Sequence, residues 1–272
     1  MGELLRISQN EGLRIAPAQF GEILRGHATR LVENFTKFDA DRWAAPTRCS
    51  DWDAHTTFRH LADTAEGRLS GFTGEELAFM SNEGFDPQST PDLWLGHSAD
   101  DTPQETLARF GPASATGIDH IERELEAGNP RVADGPYGPA HWSTVSVHVL
   151  WDAWLHERDI VCVDPDVTDC GDPDAERRLV ALYGVLMGTV PLLRLNDPIS
   201  GTIRLDGERP LTARFGGEGE ALVEEIDPDT DADVYGELLP VVDALAGRGS
   251  LHDVLSGTPE LVEKLSYLGA FI

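Results

Sequence analysis

The sequence predicts an α+β protein, in which a helical bundle over residues 1–196 precedes a small α+β domain over residues 197–272. Up to residue 195, apolar side chains recur every three or four positions, which is the period of an amphipathic helix. After residue 196, short segments separated by turn residues replace that period, as is typical of strands. With 272 residues and 40% hydrophobic content, the chain can bury a substantial core.

Five helices are predicted in the first part of the chain. The first runs from Pro17 to Phe38, and the second begins at a capping aspartate, Asp51 or Asp53, and continues to residue 69. A loop rich in Gly, Pro and Ser, with one short helix in it, is predicted over residues 72–101. The remaining helices are predicted at residues 103–127, 143–161 and 174–195. Long helices with little strand signal favour an antiparallel bundle with an up-down topology.

Strands are predicted only after this helical part. The segments TIRLD (202–206) and LTARF (211–215) flank the turn residues GERP, which predicts a β-hairpin. Two helices are predicted to follow, at residues 238–246 and 259–268. The tail is therefore expected to be a small α+β domain.

The composition excludes some classes of partner. Asp and Glu number 48 against 21 Lys and Arg, which gives a net charge of −27. Nucleic acids and anionic membranes are bound through clustered Lys and Arg, so neither is expected as a partner. Three cysteines at irregular spacing do not form a disulfide framework, and no apolar run resembles a signal peptide or a membrane span. These features predict a cytoplasmic protein.

One predicted helix carries the side chains best suited to chemistry. In HVLWDAWLHERDI, residues 148–160, positions four apart share a helix face, so His148, Asp152 and His156 lie on one side, with Asp159 one step further. Asp152 and His156 can converge on one cation, and imidazole with carboxylate suits zinc. His60 on the second helix is the best candidate for a third ligand. The same spacing also suits a hydrogen-bonded pair without a metal.

Three stretches resemble a known family. WAAPTRCSDWDAHTTFRHLAD, residues 43–63, is similar to the signature of mycothiol-dependent maleylpyruvate isomerases and their DinB-like relatives, in which a helix after a Pro-Thr turn and a Trp carries a metal-binding His. His60 stands at that position. DAWLHERD, residues 152–159, resembles the second motif, with Asp152 in place of a Glu. Residues 241–271 resemble the small C-terminal domain of these isomerases, with Gly247 and Arg248 at its Gly-Arg turn.

The resemblance implies a DinB-like bundle in which His60, Asp152 and His156 hold a divalent metal, usually zinc, and mycothiol provides a thiol as a further ligand. It also implies that Arg248 binds a carboxylate of the substrate or thiol. His148 and Asp159 are expected to contact the ligand side chains and hold them in position. Because Asp152 is one methylene shorter than Glu, it must approach the metal more closely.

The predicted function is a metal-dependent, mycothiol-assisted isomerase or S-transferase that acts on a small electrophilic metabolite. A coordinated thiol is deprotonated at neutral pH and becomes a nucleophile. One alternative is a hydrolase or lyase that uses metal-bound water without a thiol. Another is a metal-free binding protein or cyclase for an apolar metabolite, with an aromatic-bearing loop that includes Phe79, Phe85 and Trp94. The substrate remains open, as does the choice between monomer and homodimer.

Overall fold

The computed structural model describes residues 4–73, 89–135, 138–163, 170–194, 199–216 and 219–266. The chain forms two compact units. The helical unit comprises Ala16–Asn129 and Asp152–Asp172, and the sheet unit comprises Met1–Ile15, Pro130–Trp151 and Pro173–Ile272. Each unit thus combines segments that are distant in sequence, whereas the sequence predicts one boundary between residues 196 and 197. That boundary stays a prediction about the domains.

In its described residues, the helical unit contains five α-helices of its own and the second half of a sixth. They are α1 (Pro17–Phe35), α2 (Ala40–Trp43), α3 (Ala54–Thr73), α4 (Thr90–Leu95), α5 (Pro103–Ala127) and, from Asp152 onward, α6 (Trp142–Val161). Helix α5 packs against both α1 and α3. An aromatic cluster fills the space between them, with the rings of Phe35 and Phe58 edge to face at 4.8 Å and those of Phe58 and Phe110 at 5.2 Å.

Helix α5 shows how local sequence sets the ends of an element. Thr102 accepts a hydrogen bond from the backbone N–H of Glu105, and the Glu105 carboxylate accepts one from the backbone N–H of Thr102. This capping box satisfies two N–H groups that the first helical turn leaves without partners. Pro103 occupies the first turn, where its missing N–H costs nothing. Gly128, with φ of 62°, ends the helix in the left-handed conformation.

The sheet unit is built on seven strands in the order β2-β1-β7-β6-β5-β8-β9. Only β5 and β8 pair in parallel, and the other neighbours are antiparallel. The strands are β1 (Arg6–Ser8), β2 (Gly12–Arg14), β5 (Gly201–Asp206), β6 (Leu211–Phe215), β7 (Leu222–Glu225), β8 (Val234–Glu237) and β9 (Leu255–Gly257). The predicted hairpin corresponds to β5 and β6, paired from Gly201 with Phe215 to Leu205 with Leu211.

The sheet unit also contains helices and a separate hairpin. Helix α7 (Asp174–Arg194) packs against β1, β6, β7 and α8 (Leu238–Leu245). Two shorter helices follow, α9 (Leu251–Val254) and α10 (Pro259–Leu265). Strands β3 (Val132–Gly135) and β4 (Gly138–His141) form a two-stranded sheet just before α6.

The structure confirms the α+β class and alters several details. Strands β1 and β2 were not predicted, because three residues each are too few to show an alternating pattern. The first helix ends at Phe35 rather than residue 38, because Asp39 accepts a hydrogen bond from the Arg42 N–H and starts α2. The short helix expected in the loop at 72–101 is α4, as predicted, and residues 74–88 of this loop, with Phe79 and Phe85, lie outside the described residues.

The helices were also compared with the requirements of a membrane span. Within the described part of the chain, none combines the length and the apolar composition that crossing a lipid bilayer demands.

Two glycines in the β6–β7 connection allow a matched test of this fold. Gly216 and Gly219 have φ of 82° and 81°, so alanine at either site incurs the left-handed backbone cost of about 1–2 kcal/mol. A Cβ at Gly216 would lie 1.9 Å from the Ile199 carbonyl oxygen, whereas a Cβ at Gly219 meets nothing within 4 Å. We expect Gly216→Ala to lower the free energy of unfolding by about 1–3 kcal/mol more than Gly219→Ala, as measured by denaturant unfolding. Equal losses would contradict this backbone packing.

Candidate metal centre

Helix α6 places two of the predicted ligands one turn apart. Asp152 and His156 are four residues apart on the helix, and the Nε2 atom of His156 lies 3.6 Å from Oδ1 of Asp152. His156 is buried, while Asp152 is partly exposed. The helical period predicted from the sequence therefore brings these two side chains onto one face, as expected.

His60 reaches the same carboxylate from helix α3. Its Nε2 atom lies 3.2 Å from Oδ2 of Asp152, and its ring centroid is 5.1 Å from that of His156. The side chain is 5% exposed, and its Nδ1 atom is buried without a hydrogen-bond partner. The Asp152 carboxylate thus stands between two imidazoles, each of which faces a different carboxylate oxygen.

The three side chains satisfy the geometric requirement for a shared cation. One donor atom from each of His60, Asp152 and His156 lies within 4.8 Å of the other two. A tetrahedral zinc ion with bonds of about 2.0–2.1 Å separates its ligand atoms by about 3.4 Å. The two N–O distances, 3.2 Å and 3.6 Å and each to a different oxygen of Asp152, are close to that value. Imidazole and carboxylate are also the donor types that zinc prefers, so the residues present fit such an ion.

Trp52 forms an aromatic wall beside both histidines. Its ring centroid lies 5.2 Å from that of His60 and 5.9 Å from that of His156. The indole Nε1 donates a hydrogen bond of 2.8 Å to Oδ1 of Asp92 on α4, which fixes the orientation of the ring. Trp52 therefore restricts the movement of both imidazoles and shields them from solvent.

Asp159 contacts the Nδ1 edge of the His156 ring, on the side away from Asp152. Its Oδ2 atom lies 3.1 Å from Nδ1 of His156, and the carboxylate is fully buried. Arg48 donates to the other oxygen, Oδ1, at 3.0 Å, and its backbone N–H donates to the Asp159 carbonyl at 3.0 Å. This carboxylate fixes the ring of His156 with Nε2 directed toward Asp152. The sequence predicted Asp159 for such a supporting position.

Cys49 lies on the same side of His156 as Asp159. Its thiol donates to Oδ2 of Asp159 at 3.1 Å, and its sulfur is 3.6 Å from Nδ1 of His156. Cys49, His156 and Asp159 therefore form a second cluster of possible ligand atoms, on the opposite edge of the imidazole.

These contacts control the protonation of His156. Burial lowers the pKa of its imidazolium, but the charge of Asp152 and the hydrogen bonds with Asp159 and Cys49 raise it by more, to about 10. The metal-free protein therefore carries a charged His156 at neutral pH. Because a metal ligand must be neutral, cation binding has to displace the Nε2 proton.

His148 and Arg248 both belong to the sheet unit. The ring of His148 lies 5.7 Å from the rings of Trp151 and Tyr183, so its described neighbours are aromatic. Arg248 follows α8 and donates from Nη1 to the Ala246 carbonyl at 2.6 Å. A supporting role for His148 and a carboxylate-binding role for Arg248 stay predictions.

Sequence reasoning missed Arg48, Trp52 and the position of Cys49. All three belong to the turn before α3, where Thr47 donates a hydrogen bond of 2.9 Å to the Trp52 carbonyl. The density of turn residues in PTRCSDW, directly before the helix with His60, was the available signal. Turn residues next to a ligand-bearing helix commonly line a site.

The chain was compared with known proteins. The family model described as the mycothiol maleylpyruvate isomerase N-terminal domain matches residues 24–161, about half of the chain, and this segment contains His60, Asp152 and His156. Two solved structures, a mycothiol-dependent maleylpyruvate isomerase and a histidine-to-alanine mutant, cover 89% of this chain and 92% of theirs. Both have a TM-score of 0.57 and 17% sequence identity, which supports the likeness of the fold. No curated protein matches the chain.

The raised pKa of His156 predicts how the stability of the metal-free protein depends on pH. A raised pKa in the folded state adds stability below the unfolded value of about 6.5. This contribution is lost as pH rises through the folded pKa of about 10. The free energy of unfolding of chelator-treated protein should therefore fall between those values, as measured by denaturant titration at each pH. His156→Gln should show a shallower fall, and parallel curves for the two proteins would refute the assignment.

Proposed function

Because the chain belongs to the mycothiol maleylpyruvate isomerase family, we propose that it catalyses a thiol-assisted cis-trans isomerisation of a small electrophilic alkene. Mycothiol serves as the thiol, and a divalent cation, zinc by preference, is held by His60, Asp152 and His156. The observation that carries the metal dependence is the convergence of three donor atoms within 4.8 Å of one another.

The bound cation would supply positive charge that favours the thiolate of mycothiol, whose reversible addition to an activated alkene allows rotation about the former double bond. The same nucleophile at a carbon with a leaving group would produce S-transfer. Family membership favours isomerisation between these two reactions. An isomerisation also consumes no thiol, because the carbon–sulfur bond that forms is broken again in the same cycle.

The residues around His156 determine which of its nitrogens is available. Asp159 accepts a hydrogen bond from the Nδ1–H of the neutral ring, so the lone pair resides on Nε2, toward Asp152 and His60. Arg48 balances the charge of the buried Asp159 carboxylate and fixes its position. These two residues thus position the ligand without contact with the reacting atoms.

The buried setting protects the reaction from water. His60 and His156 are 5% and 8% exposed, and Trp52 covers both rings. Low solvent access strengthens the electrostatic effect of the site on a bound thiol. Asp152 is the more accessible of the three ligands, so the thiol and the substrate are expected to approach from its side.

Aspartate is compatible with the ligand position that the family fills with glutamate. A shorter side chain has to start closer to its partners, and both oxygens of Asp152 already lie 3.2–3.6 Å from an imidazole Nε2 atom. The Asp152 carboxylate therefore reaches both imidazoles despite the missing methylene. This geometry supports retention of the metal in this chain.

Metal content gives the first test of the proposal. Protein purified without chelator should contain about one divalent ion per chain, and His60→Ala and His156→Ala should each lower the affinity at least about 100-fold, because even supporting residues around a metal contribute 10–100-fold. Metal analysis by mass spectrometry and competition with a zinc chelator measure both effects.

His55→Ala provides the matched control, because His55 lies on the same helix but bonds to Thr106 of α5 at 3.1 Å. It should retain the metal. A wild-type protein that takes up no stoichiometric ion under zinc-replete conditions would contradict the metal proposal.

Dependence on the thiol gives the second test. The metal-loaded protein should isomerise maleylpyruvate when mycothiol is present, and the rate should fall to the uncatalysed value once all low-molecular-weight thiols are removed. Spectrophotometry of the conjugated substrate follows the reaction. Turnover that persists without a thiol would instead support a hydrolase or lyase with metal-bound water.

A further inference from the structure

Arg68 on α3 differs from the other interior arginines of the helical unit. Its Nε atom is buried without a hydrogen-bond partner, and no acidic side chain among the described residues forms an ion pair with it. The guanidinium lies against α5, where a Cβ at Gly117 would be 3.4 Å from Nε. Burial lowers the pKa of Arg68 to about 10, so it remains charged at neutral pH. A desolvated cation without a counter-charge is energetically costly.

An interior arginine for which the described residues provide no acceptor is unexpected in this protein. Asp and Glu outnumber Lys and Arg by 48 to 21, so acidic partners are abundant. Arg42 and Arg59 donate to backbone carbonyls instead. Several other buried or partly buried arginines pair with acids, as in Arg30–Glu157, Arg48–Asp159, Arg109–Asp63 and Arg178–Glu225. Among the described residues, the Nε of Arg68 has neither kind of partner, and composition does not explain this.

The acids nearest to Arg68 in sequence and across the helix pair are engaged by other arginines. On α3, Asp63 and Glu66 accept hydrogen bonds of 2.9 Å and 2.8 Å from Arg109. On α5, beyond Gly117, Asp119 and Glu122 both bind Arg25. Within the described ranges, the packing thus satisfies these carboxylates elsewhere and leaves the Arg68 guanidinium available to an external anion.

Arg68 also lies on the helix that carries the metal ligand His60. Eight residues separate them, which corresponds to a rise of about 12 Å and a rotation of about 80° along an α-helix. Side chains on a helix lean toward its N-terminus, and for Arg68 this direction leads toward His60. The side chain is partly exposed overall, so a small solute can reach it.

We propose that Arg68 is the anchor of an anion-binding site that receives a carboxylate of a small organic acid. A guanidinium presents paired N–H donors that match the two oxygens of a carboxylate. In a protein with a net charge of −27, an organic anion is repelled unless a cation receives it, and Arg68 is a cation that the described acids leave unneutralised.

The identification of this ligand as the substrate rests on the proposed function. Alkenes that accept a thiolate carry an electron-withdrawing carbonyl or carboxyl group, and many such molecules are therefore anions. Arg68 would hold one end of the molecule at a fixed distance from the site of His60, Asp152 and His156. It would select carboxylate-bearing alkenes over neutral ones of the same shape.

Binding of fumarate to chelator-treated protein, measured by calorimetry, tests the anion site independently of metal, thiol and turnover. Wild type should bind fumarate and reject fumaramide, the neutral diamide of the same shape. Arg68→Gln should weaken fumarate binding about 10- to 100-fold, the usual range for a charged hydrogen-bonded pair. Arg68→Lys should restore part of it, because lysine keeps the charge but not the fork. Arg123→Gln, at an exposed position of α5, matches the change in net charge and should bind like wild type.

Stability and kinetics separate binding from a structural role. Arg68→Gln should unfold at the same or a higher temperature than wild type, because a desolvated charge is removed, and with a carboxylate substrate it should raise KM more than it lowers kcat. Failure of metal-free wild type to bind fumarate, or equal affinity in Arg68→Gln, would overturn the anion site. Fumarate binding without zinc uptake or thiol-dependent turnover would leave the anion site in place and refute the proposed function.

Discussion

The carboxylate of Asp152 is the contact on which the candidate centre depends. It holds His60 of α3 and His156 of α6 on its two oxygens, at 3.2 Å and 3.6 Å. The two imidazoles, at 5.1 Å between centroids, need a negative charge between them in the metal-free protein, because His156 is protonated there. The same arrangement suits a divalent cation. A cation bound there would replace the proton on His156 with a ligand bond in the same arrangement.

The turn before α3 stabilises this arrangement through its contacts with Asp159 and with the two imidazoles. The backbone N–H of Arg48 donates to the carbonyl of Asp159, and its side chain binds the carboxylate of the same residue. Four residues later in the chain, Trp52 covers both imidazoles. A short, well-bonded turn therefore connects the start of one ligand-bearing helix to the end of the other. This connection explains how two helices almost a hundred residues apart maintain ångström-scale distances between their side chains.

Charge pairing organises the rest of the helical unit. Arg30, Arg48 and Arg109 each bind carboxylates that are fully or almost fully buried, so the excess of acid is partly neutralised inside the unit rather than spread over its surface. Such pairs cost desolvation energy, and their value lies in fixed geometry more than in stability. The polar groups of the unit that are available for binding and catalysis are therefore expected to be the few that such ion pairs do not neutralise.

The sequence by itself determined the long helices, the β5–β6 hairpin, the family and the shared face of Asp152 and His156, because periods of two and of three to four residues are local properties of the chain. The pairing of TIRLD with LTARF was also predictable from the sequence, because only a short turn separates the two segments. Tertiary structure decided the rest. Strand β1 joins the sheet by pairing with β7 more than two hundred residues later, Cys49 lies beside His156, and no described acid pairs with Arg68. Such contacts depend on which distant surfaces pack together, and no local pattern encodes that choice.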